Sequence, residues 1–146
     1  MAKISSATTG YSAAEVAPGT KRADFILKAR ALFSRAQRHA EAGEWEFALE
    51  ASYQAALRCA GARISGSVDC ARRSRLPSGA WNRLRLVDED GERRAAEFEQ
   101  YSRLRSRVSS GLEPDIDPRI VTRVMRMAEG FLMEVELEAG WGSAAA

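Results

Sequence analysis

Apolar residues recur along this chain at the spacing of α-helices. The first predicted helix runs from about Asp24, a suitable N-cap, to Ala42. Gly43 ends this helix, and the short turn that follows predicts an antiparallel hairpin with the next helix. The apolar positions of the first helix follow the i, i+4, i+7, i+8 pattern of one face: Phe25, Ala29, Leu32, Phe33, Ala36 and Ala40.

The second predicted helix, from about Glu44 to Ile64, is small or apolar around most of its circumference. Such a helix is normally buried on all sides. We therefore expect it to be the centre of a small helical domain, with Cys59 as one of its core residues. Alanines would let neighbouring helices approach closely, and larger side chains would fill the core: Ala48, Ala55, Ala56 and Ala60, with Trp45, Leu49, Tyr53 and Leu57.

A polar stretch from Ser65 to Gly79 follows and predicts a long loop that contains Cys70. Loops of this length are uncommon in compact domains and are often functional or mobile. A short helix over Ala80–Val87 comes next, and an Asp-Glu-Asp-Gly run at 88–91 is expected to end it.

Two more helices complete the pattern. The third is predicted over Glu92–Ser109. The fourth starts with Asp117 as N-cap and Pro118 at the first helical position, and it runs to about Glu138. The inward positions of the third helix are Phe98, Tyr101, Leu104 and Val108, and those of the fourth are Ile120, Val121, Val124, Ala128, Phe131, Leu132 and Val135.

The pattern therefore predicts an all-α fold: four main helices plus one short helix, in an up-and-down bundle. No strand alternation and no internal repeat is visible in the sequence. We expect residues 1–22 to be a disordered N-terminal arm, residues 23–139 to form the bundle, and residues 140–146 to be a tail.

Composition narrows the class of protein. The chain has 146 residues, of which 45% are hydrophobic and 29% charged, as is usual for one globular domain. No apolar run approaches the ~18 residues of a membrane helix, and the first twenty residues do not resemble a signal peptide, so a cytoplasmic location without membrane contact is expected. Two cysteines and one histidine argue against a disulfide framework and a zinc site, and no cofactor is predicted.

The charge is unevenly distributed, although its net value is only +2. Residues 58–107 carry twelve arginines against seven acidic residues, whereas residues 108–146 carry three against seven. Arg72, Arg73 and Arg75 cluster in the long loop and could bind phosphate. No aromatic residue lies among them in the sequence, so base stacking is not indicated there, and a solvated basic loop is the other interpretation.

A second arginine group lies on the fourth helix. Arg119, Arg123 and Arg126 share one stripe with Gly130, Met133 and Leu137, on the side opposite the predicted core. This stripe could be an anion site that grades into a homodimer contact through the glycine and its apolar neighbours. It could also be a solvated face whose arginines pair with acidic residues of the same region: Asp115, Glu129 and Glu134.

Arg94 and Arg105 border the apolar stripe of the third helix. A half-buried arginine must be paired, and Glu97, Glu44 or Glu50 could serve. We expect structural ion pairs here. His39, near the end of the first helix, is expected to be a boundary residue at a helix C-terminus.

Several short segments are distinctive: Gly-Glu-Trp at 43–45, Ala-Trp-Asn-Arg-Leu at 80–84, Ala-Ala-Glu-Phe-Glu-Gln-Tyr-Ser at 95–102, Ile-Asp-Pro-Arg at 116–119 and the helix end at 128–136. Together with the helix order, these segments resemble the HEPN superfamily, in particular a branch of small actinobacterial proteins of unknown function. The resemblance spans about residues 24–138 and implies a helical bundle that is often dimeric. Members cleave RNA, bind nucleotides or work beside a nucleotidyltransferase.

The ribonuclease signature of that superfamily is absent from the fourth helix. HEPN ribonucleases carry an arginine followed four to six residues later by a histidine, and here His39 is the only histidine. The resemblance thus implies a non-catalytic binding domain, with a nucleotide, RNA or protein partner. A divergent HEPN ribonuclease is one alternative. A peptide-binding scaffold is another, because residues 43–56 also resemble the middle of a tetratricopeptide repeat.

Overall fold

The computed structural model describes residues 18–141. This part of the chain is made of helices and their connections, without a strand, as the all-α prediction requires. It contains seven helices: α1 Pro18–Glu41, α2 Trp45–Ser65, α3 Val68–Arg72, α4 Ala80–Leu84, α5 Glu89–Glu99, α6 Ser102–Ser109 and α7 Pro118–Glu138.

Helix α2 is the centre of the bundle. It packs along α1 and α7 and also touches α4, α5 and α6. Ten of its residues are buried, including Ala48, Ala56 and Cys59, so the prediction of a central second helix is confirmed. The turn into α2 contains Gly43 at φ 75°, a conformation that favours glycine, and it sets α1 and α2 in a hairpin.

Aromatic rings fill the core where α2, α4, α5 and α7 meet. The rings of Trp81 and Phe98 stack with their centroids 5.4 Å apart and nearly parallel, at 9°. Phe98 also contacts Phe131, at 6.0 Å between centroids, and Tyr53 meets Trp81 edge-on at 5.8 Å. These contacts bind the short helix α4 to the longer helices, and offset or edge-on pairs of this kind add to simple burial.

Helix α1 begins earlier than the sequence analysis predicted. It starts at Pro18, so Asp24 is not its N-cap and lies inside the helix, where its carboxylate pairs with Lys28 at 3.0 Å. Proline is favoured in the first turn, because its missing N–H is not needed there. Residues 18–22 are thus helical, whereas the rest of the predicted arm and nearly all of the tail lie outside the described residues.

The predicted third helix is in fact two helices. Asp88 begins α5 by accepting a hydrogen bond from the Gly91 N–H at 2.7 Å, so the run at 88–91 starts a helix. It does not end α4, which stops at Leu84 and is shorter than the predicted range 80–87. A Cβ on Gly91 would lie 2.4 Å from the Leu84 carbonyl oxygen, so only glycine allows this close approach. The chain then bends at Tyr101, and this turn lets α6 pack on α2.

The stretch predicted as a loop over 65–79 contains the short helix α3. Ser67 caps it by accepting a hydrogen bond from the Cys70 N–H at 3.2 Å. Cys70 is buried, with 4% of its surface exposed, and so anchors this segment to the bundle. None of the helices in the described range is long and apolar enough to span a bilayer.

Candidate functional site

Three arginine side chains that pack against the bundle, those of Arg63, Arg94 and Arg105, form ion pairs with carboxylates. Arg94 donates to both carboxylate oxygens of Glu134, from Nε at 3.1 Å and from Nη2 at 2.6 Å. Its Nη1 donates to Glu97 at 2.9 Å. The guanidinium lies over the ring of Phe131, 5.5 Å from its centroid. The predicted structural ion pair is confirmed for Arg94, with Glu134 as a partner that the sequence analysis did not consider for it.

Arg105 is paired in the same way. Its Nε and Nη2 each donate to one oxygen of Glu50 at 2.8 Å, a bidentate geometry that joins α6 to α2. The pKa of Glu50 is lowered, mainly by the hydrogen bond from Arg105. The guanidinium also lies 4.8 Å from the centroid of the Tyr53 ring. Arg105 therefore stabilises the fold and leaves no free cation for a ligand.

A third arginine cluster was missed in the sequence analysis. Arg63 donates from Nη1 and Nη2 to the two oxygens of Asp88, at 2.9 and 2.7 Å, and from Nε and Nη2 to Glu138, at 3.2 and 3.0 Å. The pKa of Asp88 is lowered, first of all by the hydrogen bond from Arg63. The three residues come from distant parts of the chain, so no local spacing could reveal the cluster.

The arginines of α7 are placed differently. With Pro118 and Thr122, the side chains of Arg119, Arg123 and Arg126 line a surface depression of about 390 Å³, here called the arginine depression. All three arginines are exposed. The structure thus brings together the three cations that the sequence pattern placed on one stripe.

Arg119 differs from its two neighbours because it is engaged at the start of the helix. Its backbone N–H donates to Asp117 Oδ1 at 2.9 Å, and its Nη2 donates to Oδ2 at 3.2 Å. The pKa of Asp117 is lowered, mainly by that backbone hydrogen bond. Asp117 is the predicted N-cap of α7, and its charge partly offsets that of Arg119.

The guanidinium groups of Arg123 and Arg126 form no hydrogen bond or ion pair with any residue in the described range. The acidic residues expected as their partners do not neutralise them. Glu134 is bound to Arg94, and neither Asp115 nor Glu129 forms an ion pair with either arginine. Asp117 interacts with Arg123 through electrostatics but without a direct ion pair. Two cations that lack a direct ion pair therefore share one depression, and positive charge concentrated in this way favours an anionic ligand.

A second depression of about 290 Å³ adjoins the first and shares Thr122 and Arg126 with it. We call it the Trp45 depression. Trp45 is half-buried at the start of α2, and it presents an aromatic surface close to the arginines. Trp45 is far from the arginines in the sequence, so the sequence pattern did not predict this proximity. The packing of the α1–α2 hairpin on α7 brings Trp45 next to Arg126. The other lining residues are Phe33, Gln37, Ala40, Met125 and Glu129.

His39 is not part of this surface. Its Nδ1 lies 2.8 Å from Glu44 Oε1, and its ring contacts the Phe47 ring with centroids 5.4 Å apart. It lines a separate depression together with Arg35 and Glu50, among others. None of the α7 arginines lines that depression, so the histidine and the arginine stripe stay apart.

The loop arginines are also separate. Arg72, Arg73 and Arg75 are exposed, and none of them lines the arginine depression. Their side chains form no hydrogen bond or ion pair with the described residues. Their role as a phosphate-binding group stays a prediction.

The apolar end of the α7 stripe, formed by Gly130, Met133 and Leu137, is only partly accessible to a partner. Met133 and Leu137 are 57% and 60% exposed. Gly130, however, lies under α5, because a Cβ at this position would be 3.3 Å from Arg94 Nη2. A second helix could thus meet Met133 and Leu137, while the glycine surface is occupied by Arg94.

Neither a metal cluster nor the buried thiol adds a candidate site. Within residues 18–141, no group of three histidine, cysteine, aspartate or glutamate side chains could hold a metal ion. Burial raises the pKa of the Cys59 thiol well above its usual range, so it stays protonated and unreactive.

Comparison with known proteins gives one match. A family model described as HEPN_SAV_6107-like HEPN matches residues 36–136. The match covers most of the chain and runs from the second half of α1 to the end of α7. No curated protein and no solved structure matches the chain significantly.

Proposed function

The chain belongs to the HEPN_SAV_6107-like HEPN family, and from this premise we propose that it binds a nucleotide or single-stranded RNA on α7 without cleaving it. The observation that carries the proposal is the pair Arg123 and Arg126. Both are unpaired within the described chain, both line one depression, and that depression continues to Trp45.

Phosphate groups would occupy the arginine depression. Guanidinium groups match phosphate oxygens bidentately and lose little hydration on contact. One end of the depression, at Pro118 and Arg119, lies in the first turn of α7, where the helix dipole also favours an anion. Arg119 would contribute less than Arg123 and Arg126, because Asp117 already holds it.

A base would lie in the Trp45 depression. Stacking of a base on an aromatic ring is tolerant of sequence and contributes about 1–3 kcal/mol per base. Gln37 and Glu129 at its edge offer hydrogen-bonding groups, and a carboxylate accepts from an exocyclic amino group. A base splayed out in this way must be unpaired, so a single strand or a free nucleotide fits better than a duplex.

The binding would leave RNA intact. The superfamily's ribonucleases place a histidine beside the arginine of the last helix, and α7 has none. His39 contacts Glu44 on a different part of the surface. A divergent ribonuclease would need another general base beside the arginine depression. The tetratricopeptide-like alternative is less well supported, because α1 and α2 form one hairpin and the family match is to HEPN proteins.

Fluorescence anisotropy of a labelled 12-nucleotide single-stranded RNA tests the proposal. We expect Arg123→Glu with Arg126→Glu to weaken binding at least tenfold and to lower the slope of log affinity against log salt by about 1–2. Arg103→Glu is the matched control, since Arg103 is exposed on α6 and unpaired within the described chain. Equal affinity of the wild type and the double variant would contradict the site.

Competition experiments distinguish the contribution of the phosphate group from that of the base. Adenosine monophosphate should displace the RNA more effectively than inorganic phosphate, because only the nucleotide reaches the Trp45 depression. Trp45→Leu should remove most of that advantage. Absence of RNA and nucleotide binding would instead favour a protein partner such as a nucleotidyltransferase, which pull-down with the purified enzyme can test.

A further inference from the structure

A separate groove lies at the other end of the α1–α2 hairpin. It has a volume of about 620 Å³ and is lined by residues of α1, of the C-terminal half of α2, and of the segment 76–83. This volume is in the range of small-molecule sites. Its apolar lining includes Phe25, Leu57, Ile64 and Leu76, and all four are half-buried. We call it the apolar groove.

Gly61 shapes one wall of the groove. A Cβ at this position would lie 2.6 Å from the Phe25 ring, so the ring rests directly on the α2 backbone. Leu57 and Ile64, one turn away on either side, keep part of their apolar surface outside the core and line the groove beside this ring.

Two of the described residues that line the groove are charged, and both are cations, Lys21 and Arg83. No carboxylate from the described residues lines it. Lys21 forms no ion pair with any described residue. Arg83 donates from Nε to the Pro77 carbonyl oxygen at 2.8 Å, which fixes the guanidinium and leaves its Nη groups without a partner in the described chain. An apolar floor beside two cations complements a ligand with an apolar body and an anionic end.

We propose that the apolar groove binds an alkyl carboxylate of medium length, with the chain on Phe25, Leu57 and Ile64 and the carboxylate between Lys21 and Arg83. The site shares no residue with the arginine depression or the Trp45 depression. The two proposed sites can therefore be tested independently of each other.

Calorimetric titration with decanoate, decanol and acetate tests this site, each ligand below its aggregation limit. Decanoate should bind with one site per chain, decanol at least tenfold more weakly, and acetate not measurably. Lys21→Glu with Arg83→Glu should weaken decanoate at least tenfold and leave decanol unchanged. Arg103→Glu, on α6, should leave all three titrations unchanged.

Leu57→Gln provides a second test, because it places a neutral polar group on the groove floor at a partly exposed position. It should weaken both decanoate and decanol, with an unchanged circular dichroism spectrum as evidence of folding. Equal wild-type affinity for decanoate and decanol would overturn the proposal. So would the absence of decanoate binding, or a dimer that Leu57→Gln dissociates, which would assign the groove to a second copy. Should Leu57→Gln unfold the protein, the Lys21 and Arg83 charge variant decides the matter.

Discussion

The indole Nε1 of Trp81 donates a hydrogen bond to the phenol oxygen of Tyr53 at 2.8 Å in the centre of the bundle. Both side chains are buried, with 7% and 2% of their surface exposed. The bond fixes the short helix α4 on α2, and it satisfies an indole N–H that could not otherwise reach water. Burial is also the main reason that the pKa of Tyr53 is raised.

Tyr53→Phe should lower the free energy of unfolding by about 1–3 kcal/mol. The change leaves the Trp81 N–H buried without an acceptor, and an unsatisfied donor costs more than the bond contributes. Urea unfolding followed by circular dichroism measures the effect. Tyr101→Phe is the control and should change stability by less than about 0.5 kcal/mol, since no described group bonds to its hydroxyl.

Asp88→Asn should destabilise the protein by about 0.5–1 kcal/mol at pH 7, because it removes the ion pair with Arg63. The effect is modest, since Asp88 is 45% exposed and water weakens the attraction. The pKa of Asp88 is lower in the folded state than its usual value of 3.8. Its contribution is therefore present above that value and disappears as pH falls through the lowered pKa. Unfolding curves of the variant and the wild type should converge as the pH falls below 3.8 and through the lowered pKa.

Asp88→Ala separates the ion pair from the helix cap. Asparagine can still accept the Gly91 N–H and cap α5, whereas alanine cannot. The alanine variant should therefore lose about 0.5–2 kcal/mol beyond the asparagine variant, and this extra loss should remain at low pH. Identical stability of the two variants at pH 7 would mean that the cap contributes nothing.

Incubation of the purified protein with mixed RNA in EDTA should leave the RNA intact on a denaturing gel. The reason is the absence of a histidine on α7. Arg119→Ala and Arg123→Ala serve to identify the source of any cleavage. Degradation that disappears in either variant would establish a metal-independent nuclease and refute the non-catalytic interpretation.

Light scattering at micromolar concentration should give the mass of a homodimer. Met133 and Leu137 are exposed on α7, and a two-fold contact through them would cover both. Met133→Glu should then give a folded monomer. A wild-type monomer would exclude this assembly, and a dimer that persists in the variant would place the interface elsewhere.

Much of the fold follows from local pattern. The apolar circumference of α2 and the Asp117–Pro118 start of α7 predict the helices that the structure contains. The division between α5 and α6 could not be predicted in this way, since it depends on contacts across the bundle. The bend at Tyr101 sets α6 against α2, where Arg105 reaches Glu50.

Only one part of the candidate site, the arginines of α7, could be predicted from the sequence. Arg123 and Arg126 stand at helical spacing and were identified together with Arg119. Trp45 was assigned to the core, because its helix is apolar nearly all round. Its position next to Arg126 results from how α1 and α2 pack on α7, and no spacing along the chain encodes that.

The most direct test of the nucleotide site is a two-dimensional amide NMR spectrum recorded while the unlabelled 12-nucleotide RNA is added to ¹⁵N-labelled protein. The largest shift changes should lie within 118–129 on α7 and within 37–45 around the α1–α2 turn, and they should saturate together. Changes confined to the loop at 72–75, or no change at RNA concentrations well above that of the protein, would contradict the account.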